Sequence, residues 1–187
     1  MRFLRVTHLV CAFRFGEDAE NFYRVLPKRL KKFNLEVAPE KTRIFRFSRF
    51  LPSMKRRFTF LGFEWYWFPD WSGTPRVKRR TARKKLMGAC QRIKKWIKDN
   101  RHLKGRQFIV ALNRRLRGHF NYYGLYGNNK LLKRFYEWTI QSAYKWLNRR
   151  GGKRKSFTWY SFIKALDRLG IVKPHITEKK HQHRVFT

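Results

Sequence analysis

The sequence predicts an α+β protein in which a small β/α segment is followed by a mainly α-helical bundle. The apolar pattern carries this prediction: apolar runs of strand type lie within the first 70 residues, whereas after residue 80 apolar residues recur at intervals of three and four. Charge divides the chain in the same way, since residues 1–70 hold 15 basic and 7 acidic residues, net +8, and residues 71–187 hold 32 and 4, net +28. The loop 69–75, with two prolines and a glycine, is the predicted boundary.

The chain is expected to begin with a strand and a helix. Residues 6–15 are apolar and β-branched enough for a buried strand. Three acidic residues that start at Glu17 then suit the first turn of a helix, which should run to about Phe33. Pro27 must kink this helix or remove one of its hydrogen bonds.

Two further strands are expected before the boundary. Residues 44–47 predict a short one, and residues 58–68 are long enough to fold into a hairpin through 62–67. The basic loop 49–57 separates them.

The second part is expected to be helical throughout. Each predicted helix has one apolar stripe, which must be buried against the others, and a small bundle with a cationic outside satisfies this requirement. The predicted helices cover residues 82–99, 108–120, 132–147 and 159–169. Gly151, Gly152 and the basic run after them predict an exposed loop.

The net charge of +36 points to a polyanionic partner, and nucleic acid is the first candidate. With 42% hydrophobic and 18% aromatic residues, the chain has the apolar material that disordered basic tails lack. Two cysteines are too few for a disulfide framework or an unaided zinc site. No uncharged stretch is long enough for a membrane span, so we expect a cytoplasmic protein with no membrane partner.

Several strings of residues resemble the latter half of a group II intron-encoded reverse transcriptase/maturase. They are Glu40–Arg43, Phe60–Phe63 and, with the highest specificity, Leu112–Gly124. The strings Lys145–Arg150 and Phe157–Trp159 resemble the compact bacterial members that lack an endonuclease domain. Their order and spacing matter more than any single string, and the resemblance covers almost the whole chain.

The resemblance implies a domain organisation. Residues 1–70 would be a truncated reverse-transcriptase palm remnant, with Lys41 in a polymerase motif and Phe60–Phe63 in a turn that resembles the primer grip. Residues 71–177 would be a thumb/maturase-specific helical domain, and residues 178–187 a flexible tail. A bacterial cytoplasmic location is implied as well.

One departure from the family concerns catalysis. The family's Tyr-Ala-Asp-Asp box corresponds to Arg5-Val6-Thr7-His8 here, so both carboxylates are missing. Two-metal nucleotidyl transfer needs carboxylates to hold its ions. We therefore expect no catalytic residue, no metal site and no cofactor in this chain, and Mg²⁺ only in a complete polymerase. The poor fit at the start of the chain suggests a shortened reading frame.

The candidate sites are RNA contacts. The basic run from Arg76 to Lys85 has no acidic residue between residues 71 and 98 to pair with, and the mixture of Arg, Asn and Tyr after Arg114 suits unpaired bases and phosphates. Phe120 and Tyr123 are expected in the core instead. The candidates are Lys41, Arg43, Gly62, Arg76, Lys78, Arg79, Arg80, Arg83, Lys84, Lys85, Arg114, Arg117, Asn121, Tyr122, Lys153, Arg154 and Lys155.

Together these features predict an RNA-binding module that binds structured RNA, above all a group II intron, and assists its splicing without polymerase activity of its own. An RNA/DNA template-primer duplex is a further expected ligand. One alternative is a reverse transcriptase fragment that is active only when a separate fingers/palm chain completes it. Others are a general basic nucleic-acid-binding protein and the functionless product of a decaying gene.

Overall fold

A computed structural model describes residues 9–149 and 156–178 of the chain. The elements are α1 (Gly16–Lys31), a 3₁₀ turn (Pro39–Lys41), β1 (Arg57–Phe60), β2 (Phe63–Pro69), β3 (Pro75–Thr81), α2 (Arg83–Asp99), α3 (Gly105–Tyr123), α4 (Asn129–Asn148) and α5 (Trp159–Arg168). The predicted α+β class and all five predicted helices are confirmed.

The chain divides into two compact units, Met1–Lys78 and Arg79–Thr187. The division lies within β3, a few residues after the 69–75 loop in which the sequence places a boundary. The identification of a palm remnant, a thumb/maturase domain and a tail stays a prediction, and residues 179–187 of that tail lie outside the described residues.

In the first unit, α1 has the acidic first turn that the sequence predicts. Glu17 and Asp18 lie there, and basic residues occupy the last turn, so both ends complement the helix dipole. The helix continues through Pro27, and none of its residues is buried. The helix therefore combines favourable charges at its ends with an apolar stripe that is only half-buried.

A hairpin over the predicted residues is confirmed, but its turn is at Leu61 and Gly62 and not through residues 62–67, most of which form β2. β1 and β2 pair antiparallel, and Phe60 is opposite Phe63. Leu61 has φ of 48° and Gly62 φ of 81°, as a two-residue turn of type I′ requires. Across the strands, the rings of Phe58 and Trp65 stack with centroids 6.2 Å apart.

β3 corrects the expectation that the chain is helical throughout after residue 71. The sheet order is β1-β2-β3. The reason lies in the loop before it, where Asp70 Oδ1 accepts the backbone N–H groups of Ser72 and Thr74, and Gly73 has φ of 80°. This tight turn reverses the chain beside β2, and the strand pairing that follows outweighs the helical preference of the basic residues.

Two other predicted strands are wrong within the described residues. Residues 9–15 and 44–47 form no strand. A strand needs a hydrogen-bonded neighbour, and the described sheet ends at β1 and β3. Phe45 and Phe47 lie against the Phe58 ring instead, with centroids 5.4 and 5.2 Å away, so aromatic contact takes the place of a strand ladder.

The second unit is built around the apolar stripes of its helices. Ile97, Leu112, Leu116, Phe120 and Ala143 have no exposed surface. They belong to one cluster with residues of α2, α3, α4 and α5. Burial of each large side chain contributes about 1.5–3 kcal/mol, which makes this cluster the main stabilising feature of the unit.

Two buried amides fix the connections of this unit. Asn128 accepts the Thr81 N–H at 3.0 Å and donates to Thr81 Oγ1 and to the Tyr123 carbonyl, both at 2.8 Å. Asn113 donates to the Gly170 carbonyl at 2.8 Å and accepts the Val172 N–H at 2.9 Å. Each amide is therefore satisfied, and each holds together segments that are far apart in sequence.

Candidate nucleic-acid interface

The first turn of α2 presents three exposed cations. Arg83, Lys84 and Lys85 begin the helix, whose first turn contains no acidic residue and whose N-cap makes no side-chain hydrogen bond. Positive charge at a helix N-terminus opposes the helix dipole, typically by about 0.3–1 kcal/mol per residue. An anion bound there would offset the unfavourable interaction between these cations and the helix dipole. The three residues therefore remain candidates for phosphate contacts.

The basic residues of β3 have partners within the chain. Arg76 Nε lies 3.1 Å from Asp70 Oδ2. Lys78 Nζ lies 4.5 Å from the centre of the Phe68 ring and donates to the Pro69 carbonyl at 3.4 Å. Asp70 lies just before the acid-free segment 71–98, so that segment alone does not reveal this partner.

Asp70 is the centre of this arrangement. The Ser72 hydroxyl, followed by Arg76 and backbone N–H groups, lowers the pKa of Asp70 to about 2, although desolvation opposes the shift. The carboxylate therefore stays charged at neutral pH and keeps Arg76 oriented.

Arg79 forms an ion pair with Glu178, which also accepts the Tyr126 N–H at 2.8 Å. Glu178 is the first residue of the predicted tail and is thus anchored to the second unit. Arg80 is half-buried. Both arginines are engaged within the protein, so their role toward RNA would require exchange of partners.

One face of α3 is exposed and mostly polar. Arg114, Arg117 and Asn121 are exposed at spacings of three and four, while Leu112, Leu116 and Phe120 are fully buried on the other side. The same face continues toward the N-terminus of the helix with Arg106 and Val110, both exposed. The sequence analysis missed this extension, which the four-residue spacing back from Arg114 would have revealed.

Tyr122 lies beside this face. Its side chain is 53% exposed, and its ring meets that of Tyr123 edge-on at 4.8 Å. Tyr123 is half-buried and Phe120 fully buried, as the sequence analysis expected for both. Tyr122 is therefore exposed beside this face, and an exposed tyrosine ring can stack on an unpaired base.

Gly118 lies on the exposed side of α3 between Arg114 and Tyr122. A Cβ atom added there would meet nothing within 4 Å. Glycine within a helix costs roughly 0.5–1 kcal/mol relative to alanine, and packing among the described residues supplies no reason for it. A bare backbone at this position leaves room for close approach of a ligand.

His119 faces the interior. Its ring stacks on Phe135 with centroids 3.7 Å apart, and its buried Nε2 has no hydrogen-bond partner among the described residues. Desolvation, with a smaller contribution from Arg92, lowers the pKa of His119 to about 4. His119 is therefore neutral at physiological pH and adds no charge to the surface.

The remaining candidates lie elsewhere. Lys41 and Arg43 are exposed in the first unit; Lys41 Nζ is 4.0 Å from Glu40 and the Arg43 guanidinium 5.3 Å from the Phe45 ring centre. Gly62 forms the hairpin turn, where its positive φ gives it a structural role. The three basic residues at 153–155 lie outside the described residues.

Within residues 9–149 and 156–178, no three His, Cys, Asp or Glu side chains are placed to share a metal ion. Residues 5–8, which the resemblance aligns with the Tyr-Ala-Asp-Asp box, are outside this range. No helix in the described part of the chain has the length and apolar character to cross a membrane.

Comparison with known proteins gives one match. Residues 86–162 match the family model described as group II intron, maturase-specific domain. No curated protein matches the chain, and no solved structure matches it. The matched segment runs from α2 into α5 and includes the whole exposed face of α3. The match supports the resemblance of this chain to the C-terminal part of a group II intron maturase. Over residues 86–162 the chain is similar to the maturase-specific domain.

Proposed function

We propose that this chain binds the folded RNA of a group II intron and assists its splicing. The observation that carries the proposal is the exposed face of α3, which combines Arg114, Arg117, Asn121 and Tyr122 within the segment similar to a maturase-specific domain. Arginines neutralise phosphates, an asparagine amide reads base edges, and a tyrosine ring stacks on an unpaired base.

The mechanism is differential binding. Phosphate contacts from the first turn of α2 and from α3 supply affinity for any RNA strand. Asn121 and Tyr122 act only where unpaired bases are presented, as in the loops of a folded intron. A protein that binds the folded RNA more tightly than misfolded forms shifts the population toward the active fold.

The proposal extends to the origin of the first unit. Its tight hairpin at Phe60–Phe63 supports derivation from the palm end of a reverse transcriptase, with a turn that resembles the primer grip. In this proposal the unit accompanies the RNA-binding unit and performs no nucleotidyl transfer itself.

The test compares intron RNA with unstructured RNA of equal length. The variant R114A/R117A/N121A should lose about tenfold or more in affinity for intron RNA, because one specific contact contributes about 1–3 kcal/mol. Its affinity for unstructured RNA should fall less. Filter binding measures both affinities, and the splicing rate of the intron with each variant gives a second readout.

The matched control is K130A/K133A, which removes two exposed cations from α4, as many positive charges as the test variant removes. This control should lower the affinity for both RNAs slightly and by the same factor. Equal losses for both RNAs with the α3 variant would contradict a selective site and leave a general basic binding protein.

A further inference from the structure

A second cationic site surrounds Trp146, in the last turn of α4. Lys98 Nζ and the guanidinium carbons of Arg101 and Arg149 lie 5.5, 5.7 and 5.2 Å from the centre of the Trp146 ring. The three cations come from three places in the chain: the last turn of α2, the turn after it, and the C-cap of α4. These four residues are called the Trp146 cluster below.

Internal groups compensate only part of this charge. The ends of α2 and α4 each contribute about −0.5 of an elementary charge from the helix dipole, about −1 against three unit cations. Among the described residues, no carboxylate forms an ion pair with any of the three, and Asp99, the neighbour of Lys98, also forms none. The Trp146 cluster therefore keeps a net positive charge.

The arrangement also brings like charges together. All three lie within 5.7 Å of the centre of one ring, a region comparable in size to the Debye length of about 8–10 Å at physiological salt, so solvent ions screen their repulsion incompletely. Lys98 and Arg149 are exposed, and Arg101 is half-buried. The indole ring and its partly buried setting hold the cations in place and keep them accessible from solvent.

We propose that the Trp146 cluster binds the phosphodiester backbone of an RNA strand. Two guanidinium groups match phosphate oxygens with paired N–H donors, and the ammonium group adds a point charge. The site shares no residue with the exposed face of α3, so it gives the RNA a second place of attachment. This inference rests on the proposed function only in taking RNA as the polyanion.

The experiment removes the three charges and measures the salt dependence of binding to oligouridylate, a strand without intron structure. The variant K98Q/R101Q/R149Q should make the slope of log K against log salt shallower by about 2, because each phosphate contact on a single strand contributes about 0.7. Affinity near physiological salt should fall about tenfold or more.

The matched control, K130Q/K133Q/K164Q, removes three exposed lysines of α4 and α5, so its net charge equals that of the cluster variant. Its slope should change by less than about 1. Equal changes in slope for the two variants would overturn the proposal. So would an equal loss of affinity for polyglutamate and for oligouridylate in the cluster variant, since the site would then bind acidic polypeptide as well as RNA.

Circular dichroism melting checks that each variant is folded. If the triple variant is unfolded, the single variant R149Q takes its place, with an expected slope change of about 0.7 and no change for K164Q. Oligouridylate makes this result independent of intron preference: a chain that binds intron and unstructured RNA equally contradicts the proposed function, whereas the slopes decide on the cluster.

Discussion

His119 links a single residue to the acid stability of the bundle. Its neighbours are Phe135, on which it stacks, Tyr123, whose ring centroid is 4.7 Å away, and Arg92, which adds positive charge. None of these neighbours is an anion that could balance the charge of an imidazolium ion. Protonation must therefore place an uncompensated charge in a largely apolar setting.

We expect the free energy of unfolding to fall as the pH is lowered from about 6.5 to about 4. The pKa of His119 is about 4 in the folded protein and about 6.5 for an unperturbed histidine, so the unfolded chain binds more protons between these limits. The stabilisation is complete above about pH 6.5 and is lost as the pH approaches 4, with about 2 kcal/mol lost between about pH 7 and pH 5.

Urea unfolding of the wild type and of H119F at several pH values measures this loss. The variant keeps a ring against Phe135 and cannot titrate, so its unfolding free energy should depend less steeply on pH. H102Q, which removes an exposed histidine, is the control and should follow the wild type. A wild type and H119F with parallel pH profiles would show that His119 titrates normally.

At the scale of the element, α3 carries both the core and the proposed RNA contacts. Leu112, Leu116 and Phe120 bury one side completely, and the opposite side is exposed over its length. The core side therefore fixes the rotation of the helix, and through it the direction of every arginine on the exposed side.

Gly118→Ala separates the stability of this helix from its proposed contact with RNA. The added methyl group meets open space, so the free energy of unfolding should rise by about 0.5–1 kcal/mol. RNA affinity should fall, because the methyl group occupies the space into which a strand would come. Chemical unfolding and filter binding on the same preparation measure both effects.

Gly88→Ala in α2 is the control for this substitution. Its Cβ would meet Arg92 Nη1 at 3.2 Å, the far end of a flexible side chain, which can shift at little cost. RNA affinity should not change in this variant. If G118A were more stable and bound RNA as tightly as the wild type, close approach at Gly118 would be excluded.

The sequence predicts the helices well because their information is local. The three-to-four spacing of Leu86, Cys90, Ile93 and Ile97 specifies α2 without reference to any other element, and all four residues are buried. Strands depend on neighbours that spacing does not reveal. β3 was missed and residues 44–47 were mistaken for a strand because pairing, decided by the turn at Asp70 and by the extent of the sheet, is not encoded in either segment.

The same distinction applies to the candidate site. Exposure of Arg114, Arg117 and Asn121 follows from the stripe on one helix and was predictable. Other contacts depend on side-chain placement in three dimensions, and no local sequence pattern predicts them. They include the ion pairs of Arg76 and Arg79. They also include the convergence of Lys98, Arg101 and Arg149 on Trp146.

At the scale of the whole molecule, carboxylates are too few to neutralise the cations. The chain has 47 Lys and Arg against 11 Asp and Glu. Even if every acidic residue were paired, a net charge of +36 would remain, and described pairs such as Lys173–Asp167 each consume one of the few carboxylates. A polyanion is the only ligand class that offsets a charge of this size.

This excess predicts a steep salt dependence of RNA binding. If about eight phosphates are neutralised, the slope of log K against log salt should be near −7, with the duplex coefficient of about 0.9 per phosphate as a guide. Filter binding across a range of potassium chloride concentrations measures it. A slope near −1 would contradict electrostatic capture, whatever the affinity at one salt concentration.

The hydrogen bonds of Asn113 have a consequence for the order in which the second unit closes. This residue of α3 holds Gly170 and Val172, 57 and 59 positions later in the chain. Closing a loop of that length has an entropic cost that the early, local contacts of α3 do not have. We therefore expect the segment after α5 to dock late in folding and to exchange its amide protons before the α3 core does, which native-state hydrogen exchange would measure.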